Sequence, residues 1–290
     1  MYTIANVIRR EFLKSDSLRD AGLQTPPSVQ RFDNLPYGED VTWQILDLYR
    51  PKSAVGSLPV IVNVHGGGWV YGTKETYQYY CMSLAQRGFA VLNFSYRLAP
   101  EYRFPAPLED LNLVIGWLGT HAGRYGLDLN RVYAVGDSAG AHTLAQYACI
   151  CTNDQYAKAF PFAVPQGFSF TAVALNCGSY SVQELPQSMF PQLLDCYLPG
   201  HDPEHERELM QVPNYVTSAF PPSFIMTSNG DFLKDQAEPF AKLLQKRGIR
   251  CVLRTYGDEK HLLGHVFHCD IRQEASAICN DEECAFFLDN

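Results

Sequence analysis

Short apolar runs alternate with helix-length amphipathic stretches along most of the chain, the pattern of a largely parallel sheet covered by helices. Strands are expected near TWQILDLYR (42–50), PVIVNVH (59–65), FAVLNFSY (89–96), RVYAVG (131–136), TAVALNC (171–177), SFIMTSN (223–229) and CVLRTY (251–256). The first alternates in and out, as an edge or antiparallel strand does, whereas the later ones are continuously apolar, as strands buried on both faces are. Helices are expected near 76–87, 107–121, 139–152, 235–247 and 272–287. Two stretches break the alternation. Residues 1–40, of which about 1–36 are assigned to the cap, begin as an amphipathic helix and loosen into the Pro-rich, turn-like QTPPSVQRFDNLPYGED, while residues 178–222 are too long for a simple connection between core strands. Both are expected to form a small cap over the C-terminal ends of the strands, where open α/β sheets bind ligands.

Composition narrows the picture. A chain of 290 residues with 46% apolar and 19% charged side chains is expected to fold as one α/β domain with no long disordered tail. The formal charge of −8, with scattered basic residues, gives no footprint for nucleic acid or an anionic membrane, so a neutral or small ligand is expected. Nine cysteines, odd in number and irregularly spaced, read as buried thiols in a reducing cytoplasm. Cys149 with Cys151, and Cys269, Cys279 and Cys284 near His268, are the places where zinc is conceivable, but no paired CxxC supports a metal. The charged start, MYTIANVIRREFLKSDSLRD, is not expected to be a signal peptide, and no run of eighteen apolar residues could span a bilayer.

The chemistry begins at GDSAG (136–140), which follows a strand and precedes a helix. In G-x-S-x-G a serine sits on a strained strand-to-helix turn, and the glycines let helix and strand approach closely. Ser138 is thus a candidate nucleophile, its structural alternative being an N-cap. Three consecutive glycines in HGGGW (65–69) suit a loop whose N–H groups point at a substrate oxygen. The N–H groups of Gly67, Gly68 and Ala139 are the expected oxyanion donors. His65 is expected to brace that turn, and Asp137 to support the elbow.

HGGGW, SYRLAPEYRFPAPLED (95–110), GDSAG and GDFLKDQ (230–236), in this order, resemble the hormone-sensitive-lipase-like branch of the α/β-hydrolase superfamily, which includes bacterial carboxylesterases and acetyl esterases. The likeness runs from about Tyr37 to Phe287. It implies an α/β-hydrolase fold, a serine hydrolase without metal or organic cofactor, a cap built from the two irregular segments, and structural roles for Arg97 and Glu101. The implied reaction is hydrolysis of short-chain, acetyl-type esters, with an acetylated sugar as one substrate class. Two other readings use the same fold: an amide-cleaving relative such as an arylformamidase, and a non-catalytic receptor of the kind the plant gibberellin receptor represents, which would lack a working histidine. Oligomeric state is left open.

In such hydrolases the chain order is serine, acid, histidine. Asp231 and Asp235 both follow the strand SFIMTSN, but D-Q-A-E reads as a capping box with Asp235 as N-cap, which leaves Asp231 as the candidate acid. KHLLGHVFHCD (260–270) offers three histidines. His261 has the family's usual spacing from the acid. His265 has a local match, since His265-Val266-Phe267 keeps an aromatic anchor expected to pack beneath the ring. His268 lies beyond that anchor and reads as structural. The expected triad is Ser138, Asp231 and His265, with His261 the alternative base. Tyr180, Met189, Phe190 and Tyr197 in the second irregular segment are expected to keep the acyl site small.

Overall fold

The computed structural model describes residues 4–185 and 190–290. Eight strands, β1 (Val29–Pro36), β2 (Ile45–Pro51), β3 (Leu58–Val64), β4 (Ala90–Phe94), β5 (Leu127–Asp137), β6 (Ala172–Asn176), β7 (Ser223–Ser228) and β8 (Cys251–Tyr256), form one sheet in the order β1-β2-β4-β3-β5-β6-β7-β8. β2 runs antiparallel to both β1 and β4, and the remaining pairings are parallel. The helices are α1 (Ile4–Asp20), α2 (Lys74–Ala85), α3 (Ala106–Tyr125), α4 (Ala139–Thr152), α5 (Asp154–Ala157), α6 (Phe190–Tyr197), α7 (Pro203–Leu209), α8 (Val212–Tyr215), α9 (Ala237–Lys246) and α10 (Glu274–Leu288). This is the expected α/β-hydrolase architecture. No helix among the described residues is long and apolar enough to cross a membrane.

The apolar strands divide their side chains between two cores. Val60, Val62 and Val64 of β3, with Val132 and Ala134 of β5, pack under α3, α4 and α9. Ile61, Tyr133 and Val135 point the other way, under α2 and α10. The period of two therefore survives inside a continuously apolar run, because each face has its own layer of helices to fill it.

Two expectations change. Val29–Pro36, inside the stretch read as turn-like, is the edge strand, and β2 lies second. Antiparallel pairing with β2, plus Asn34 N–H donating to Asp47 at 2.8 Å, outweighs its weak pattern of apolar positions. Only α1 of the N-terminal segment is left to lie over the sheet. The capping box at Asp235 does not form either: Lys234–Gln236 is a single 3-10 turn, α9 starts at Ala237 with Gln236 as N-cap and no side-chain cap, and Asp235 is exposed. Arg97 bonds Glu109 and Asp110, and Glu101 bonds Arg9 of α1, both structural contacts.

α10 brings a buried carboxylic acid to the back of the sheet. Glu283 accepts from Asn176 Nδ2 at 2.6 Å and from the Tyr80 hydroxyl at 3.3 Å. Burial pushes it from 4.5 up to about 7. The native state therefore holds a proton there that the unfolded chain has already lost, so this group's stabilisation is full below about pH 4.5 and is lost as pH rises through about 7. Glu283→Gln keeps the shape and removes the titration. Its stability relative to the parent should rise by ~3 kcal/mol as pH increases across that window, measured by urea unfolding. A pH-independent difference would show that Glu283 does not titrate in the fold.

Candidate active site

β5 ends at Asp137 and α4 begins at Ala139, leaving Ser138 between them with φ 52° and ψ −119°. A non-glycine residue at positive φ is strained and persists only where its surroundings hold it. Its N–H donates to the Asn176 carbonyl at 2.9 Å, and its carbonyl accepts from His142 N–H at 3.1 Å. Gly140 is what lets α4 come so close: a Cβ there would lie 2.1 Å from the Val64 carbonyl oxygen and 2.5 Å from that of His65. Ala139 is the first residue of α4, so its N–H has no partner within the helix.

The loop after β3 lies against this elbow. Gly67 has φ 110°, and a Cβ on it would meet the Tyr71 carbonyl oxygen at 2.2 Å. Gly66 N–H is shared between Asp137 Oδ1 at 3.1 Å and the Tyr77 hydroxyl at 3.0 Å, while that hydroxyl donates to Asp137 Oδ2 at 2.7 Å. Asp137 thus ties the glycine loop to the elbow, although burial pushes its own pKa up to about 6. Gly68 sits under Leu193 of α6. His65 is stacked on Tyr96 with ring centroids 3.9 Å apart, and its Nδ1 bonds the Gly66 carbonyl. Burial lowers it to about 4, so it stays neutral and braces the turn as expected.

Across the cavity, Asp231 follows β7, and its Oδ1 lies 2.6 Å from His265 Nδ1. The same oxygen accepts from Leu233 N–H at 2.9 Å, and Oδ2 accepts from the Thr227 hydroxyl at 2.8 Å. Burial alone would raise Asp231, but its bonds to His265, Leu233 and Thr227 outweigh it and hold the carboxyl below its ordinary value. The histidine loop is fastened to the end of β7 by a Gly230–Gly264 bridge and by Gly230 N–H to the Leu263 carbonyl at 3.0 Å. His261 lies exposed beyond it, bonded to Asp258 at 2.9 Å. His268 is fully buried, edge-on to Tyr80, and lowered by burial to about 3. The ring against His265 belongs to Phe232, with centroids 4.2 Å apart; Phe267 packs on Tyr256 and His268 instead. Val266, between the two residues, has φ 53°.

Ser138, His265 and Gly67 line one cavity of about 240 Å³, together with Phe12, Ser15, Asp16, Arg19, Tyr71, Tyr77, Asp137, Phe232 and Val266. Tyr180, Phe190 and Tyr197 are not on its wall. Tyr180 stacks on Phe240 and Tyr197 on Trp69, neither of which lines the cavity, and of the three only Phe190, 6.1 Å from Phe232, has a ring contact with the wall, so the aromatic residues that bound the site are Phe12, Tyr71, Tyr77 and Phe232. Met189 lies outside the described residues. The α1 residues of the wall recur at positions 12, 15, 16 and 19, one face of a helix, and that spacing was the signal available for them. Arg19 bonds Asp16 and Asp20, and the Tyr71 hydroxyl donates to Asp16 at 2.8 Å, giving the cavity one polar side.

The profile of a family with the alpha/beta hydrolase fold matches residues 61–265. The carboxylesterase NlhH of Mycobacterium tuberculosis is 30% identical over 239 residues, 78% of this chain and 74% of that protein. An esterase of Gibberella moniliformis is 30% identical over 217 residues, 70% of this chain and 66% of that protein. Among solved structures, esterase B of Lactobacillus rhamnosis inhibited by a tributyrin phosphonate superposes with a TM-score of 0.88 at 27% identity, covering 98% of this chain and 94% of that one. The chain belongs to the alpha/beta hydrolase family, on the hormone-sensitive-lipase-like branch that holds the carboxylesterases.

Gly140 should not tolerate a methyl group, because the obstructing atoms are backbone. Gly140→Ala should lose more than ~3 kcal/mol of stability in urea unfolding. Gly119→Ala, on an exposed position of α3 with nothing within 4 Å of the added carbon, should gain about 0.5–1 kcal/mol. Equal effects at the two sites would contradict the close approach of α4 to β3.

Proposed function

We propose that this chain is a serine carboxylesterase that cleaves short-chain, acetyl-type esters through an acyl-enzyme. It is an ester hydrolase of the family just described. The observation that carries the serine mechanism is the pairing of His265 with a fully buried Asp231 on the rim of the cavity that Ser138 also lines. In this reading Ser138 attacks the ester carbonyl, and His265 Nε2 takes its proton and returns it to the leaving alcohol. Asp231 holds the tautomer with hydrogen on Nδ1 and stabilises the imidazolium. The N–H groups of Gly67, Gly68 and Ala139 receive the charge that develops on the carbonyl oxygen. Phosphonate inhibition of the Lactobacillus esterase is consistent with a nucleophilic serine in the relatives. The intact Asp231–His265 pair speaks against a non-catalytic receptor.

Substrate size follows from the cavity. At about 240 Å³ it lies below the usual range of small-molecule pockets, ~300–1,000 Å³, and has aromatic walls from Phe12, Tyr71, Tyr77 and Phe232. Its polar side, Asp16 with Arg19 and the Tyr71 hydroxyl, suits a hydroxyl-bearing alcohol such as an acetylated sugar.

Ser138→Ala should abolish turnover and labelling by a fluorophosphonate probe in a folded protein. His265→Ala should lower kcat by at least roughly 10³-fold, while His261→Ala should change it less than about twofold. The reverse ranking of the two histidine variants would move the base to His261.

Across a series of p-nitrophenyl esters, kcat/KM should peak between acetyl and butyryl and fall steeply by octanoyl. A flat profile to long chains would mean that the acyl group does not occupy this cavity.

A further inference from the structure

Behind the imidazole lies a sulfur. Cys177, the residue after β6, is buried and has φ 46°. Its Sγ, a carboxylate oxygen of Asp231 and a ring nitrogen of His265 all lie within 4.8 Å of one another. Among the described residues no other group of His, Cys, Asp and Glu converges in this way. The cysteines whose spacing made zinc conceivable, Cys149 with Cys151 and the Cys269, Cys279 and Cys284 set, do not form such a group.

We infer that Cys177, Asp231 and His265 form an inhibitory site for a divalent cation of the zinc class. The inference rests on the reading of His265 as the base. One thiolate, one imidazole and one carboxylate are a zinc donor set, and three protein ligands leave a fourth tetrahedral position for water from the cavity. Magnesium and calcium, which take oxygen ligands at coordination numbers of about six or more, are poorly served by it. Charge favours the same class of ion: one thiolate and one carboxylate neutralise two positive charges, so the filled site carries no net charge where Cys177 and Asp231 are buried. Without a cation, burial and then the Asp231 charge push the Cys177 thiol well up, with only the Val266 N–H bond to the sulfur opposing them, so it is the cation that must draw the proton off.

Metal–ligand bonds of about 2.0–2.3 Å place tetrahedral donors roughly 3.3–3.7 Å apart. The 2.6 Å Asp231–His265 contact must therefore widen by about 1 Å, and His265, at 17% side-chain exposure on the cavity rim, is the partner free to turn. The protons balance as follows. Cys177 releases its thiol proton to solvent, Asp231 is already ionised, and the proton that His265 carries on Nδ1 leaves because the metal takes that lone pair. It is replaced at Nε2, so the ring stays neutral and one proton is released in all. The metal-bound ring then presents Nε2–H towards Ser138 and has no lone pair with which to accept the serine proton. Inhibition thus acts through the tautomer and needs no obstruction of the cavity.

Cadmium is the probe, added to the metal-free full chain while the sulfur-to-cadmium ultraviolet band and esterase activity are followed together. Each variant is referred to its own uninhibited rate and its own thermal midpoint. The expected result is a one-equivalent band that grows as activity falls, with Cys177→Ala lacking that band and needing at least roughly 100-fold more cadmium for half-inhibition. Cys177→Ser, which keeps the side-chain volume, should behave in the same way if the alanine variant folds poorly. Magnesium at the same concentrations should leave the rate unchanged. Inhibition of parent and Cys177 variants at one cadmium concentration would overturn the site and leave the Ser138–His265–Asp231 reading standing. A Cys177-dependent band without inhibition would overturn the inhibitory role, while the assignment of His265 as base is decided separately by the His265→Ala variant.

Discussion

The arrangement depends on one backbone conformation, the positive φ at Ser138. Nothing in a serine side chain favours it, so the cost of order 1–3 kcal/mol must be met by neighbours. Three of them act on the backbone. Asn176 accepts the serine N–H, His142 closes the first turn of α4 on the serine carbonyl, and Gly140 allows that helix to rest on the end of β3. Once these hold, the side chain stands at the sheet's C-terminal edge and lines the cavity, with Ala139 opening α4 directly after it. The glycine loop is then tied to the elbow through Gly66 and Asp137.

That loop is secured by polar groups that would be costly if unpaired. Asp137 is enclosed, and its two oxygens are matched to Gly66 N–H and the Tyr77 hydroxyl. The carboxyl's raised pKa shows that the enclosure still disfavours its charge. Asp231 differs because it takes three hydrogen bonds, one from an imidazole that can itself become positive, and its charge is favoured despite burial. Two aspartates at the ends of β5 and β7, with β6 between them, are thus driven in opposite directions. The one with the stronger donors is suited to stabilise an imidazolium, and the other to hold a loop.

Much of this was legible in the residues. The continuous apolar runs gave the parallel strands, and GDSAG and HGGGW carried their geometry in their glycines, since no other residue fits Gly140 or Gly67. Asp231 and His265 could be named from order along the chain and a local aromatic match. The match pointed to the histidine that pairs with Asp231, but on a mistaken contact, because the ring against it is Phe232. What stayed hidden depended on contacts distant in sequence. β1 has too few apolar positions to declare itself and exists because β2 offers it a ladder. Asp235 had a good local capping signal, yet the chain continued through a 3-10 turn before α9. The α1 wall of the cavity required knowing that a helix at positions 4–20 folds back over residues near 71 and 265.

That helix has a further consequence. Of its seventeen residues only Ala5 and Ile8 are buried, and it is held mainly by polar ties: Arg9 to Glu101 and to the carbonyls of Val70 and Ala99, Asp16 to Tyr71, and Arg19 to the Thr76 carbonyl. Such a segment detaches at a free energy set by its own few contacts and not by the stability of the sheet. Ionic strength weakens its exposed ion pair while leaving the core untouched. The wall of the cavity is therefore the first part of the site to exchange its amide hydrogens with solvent, and the elbow beneath it among the last.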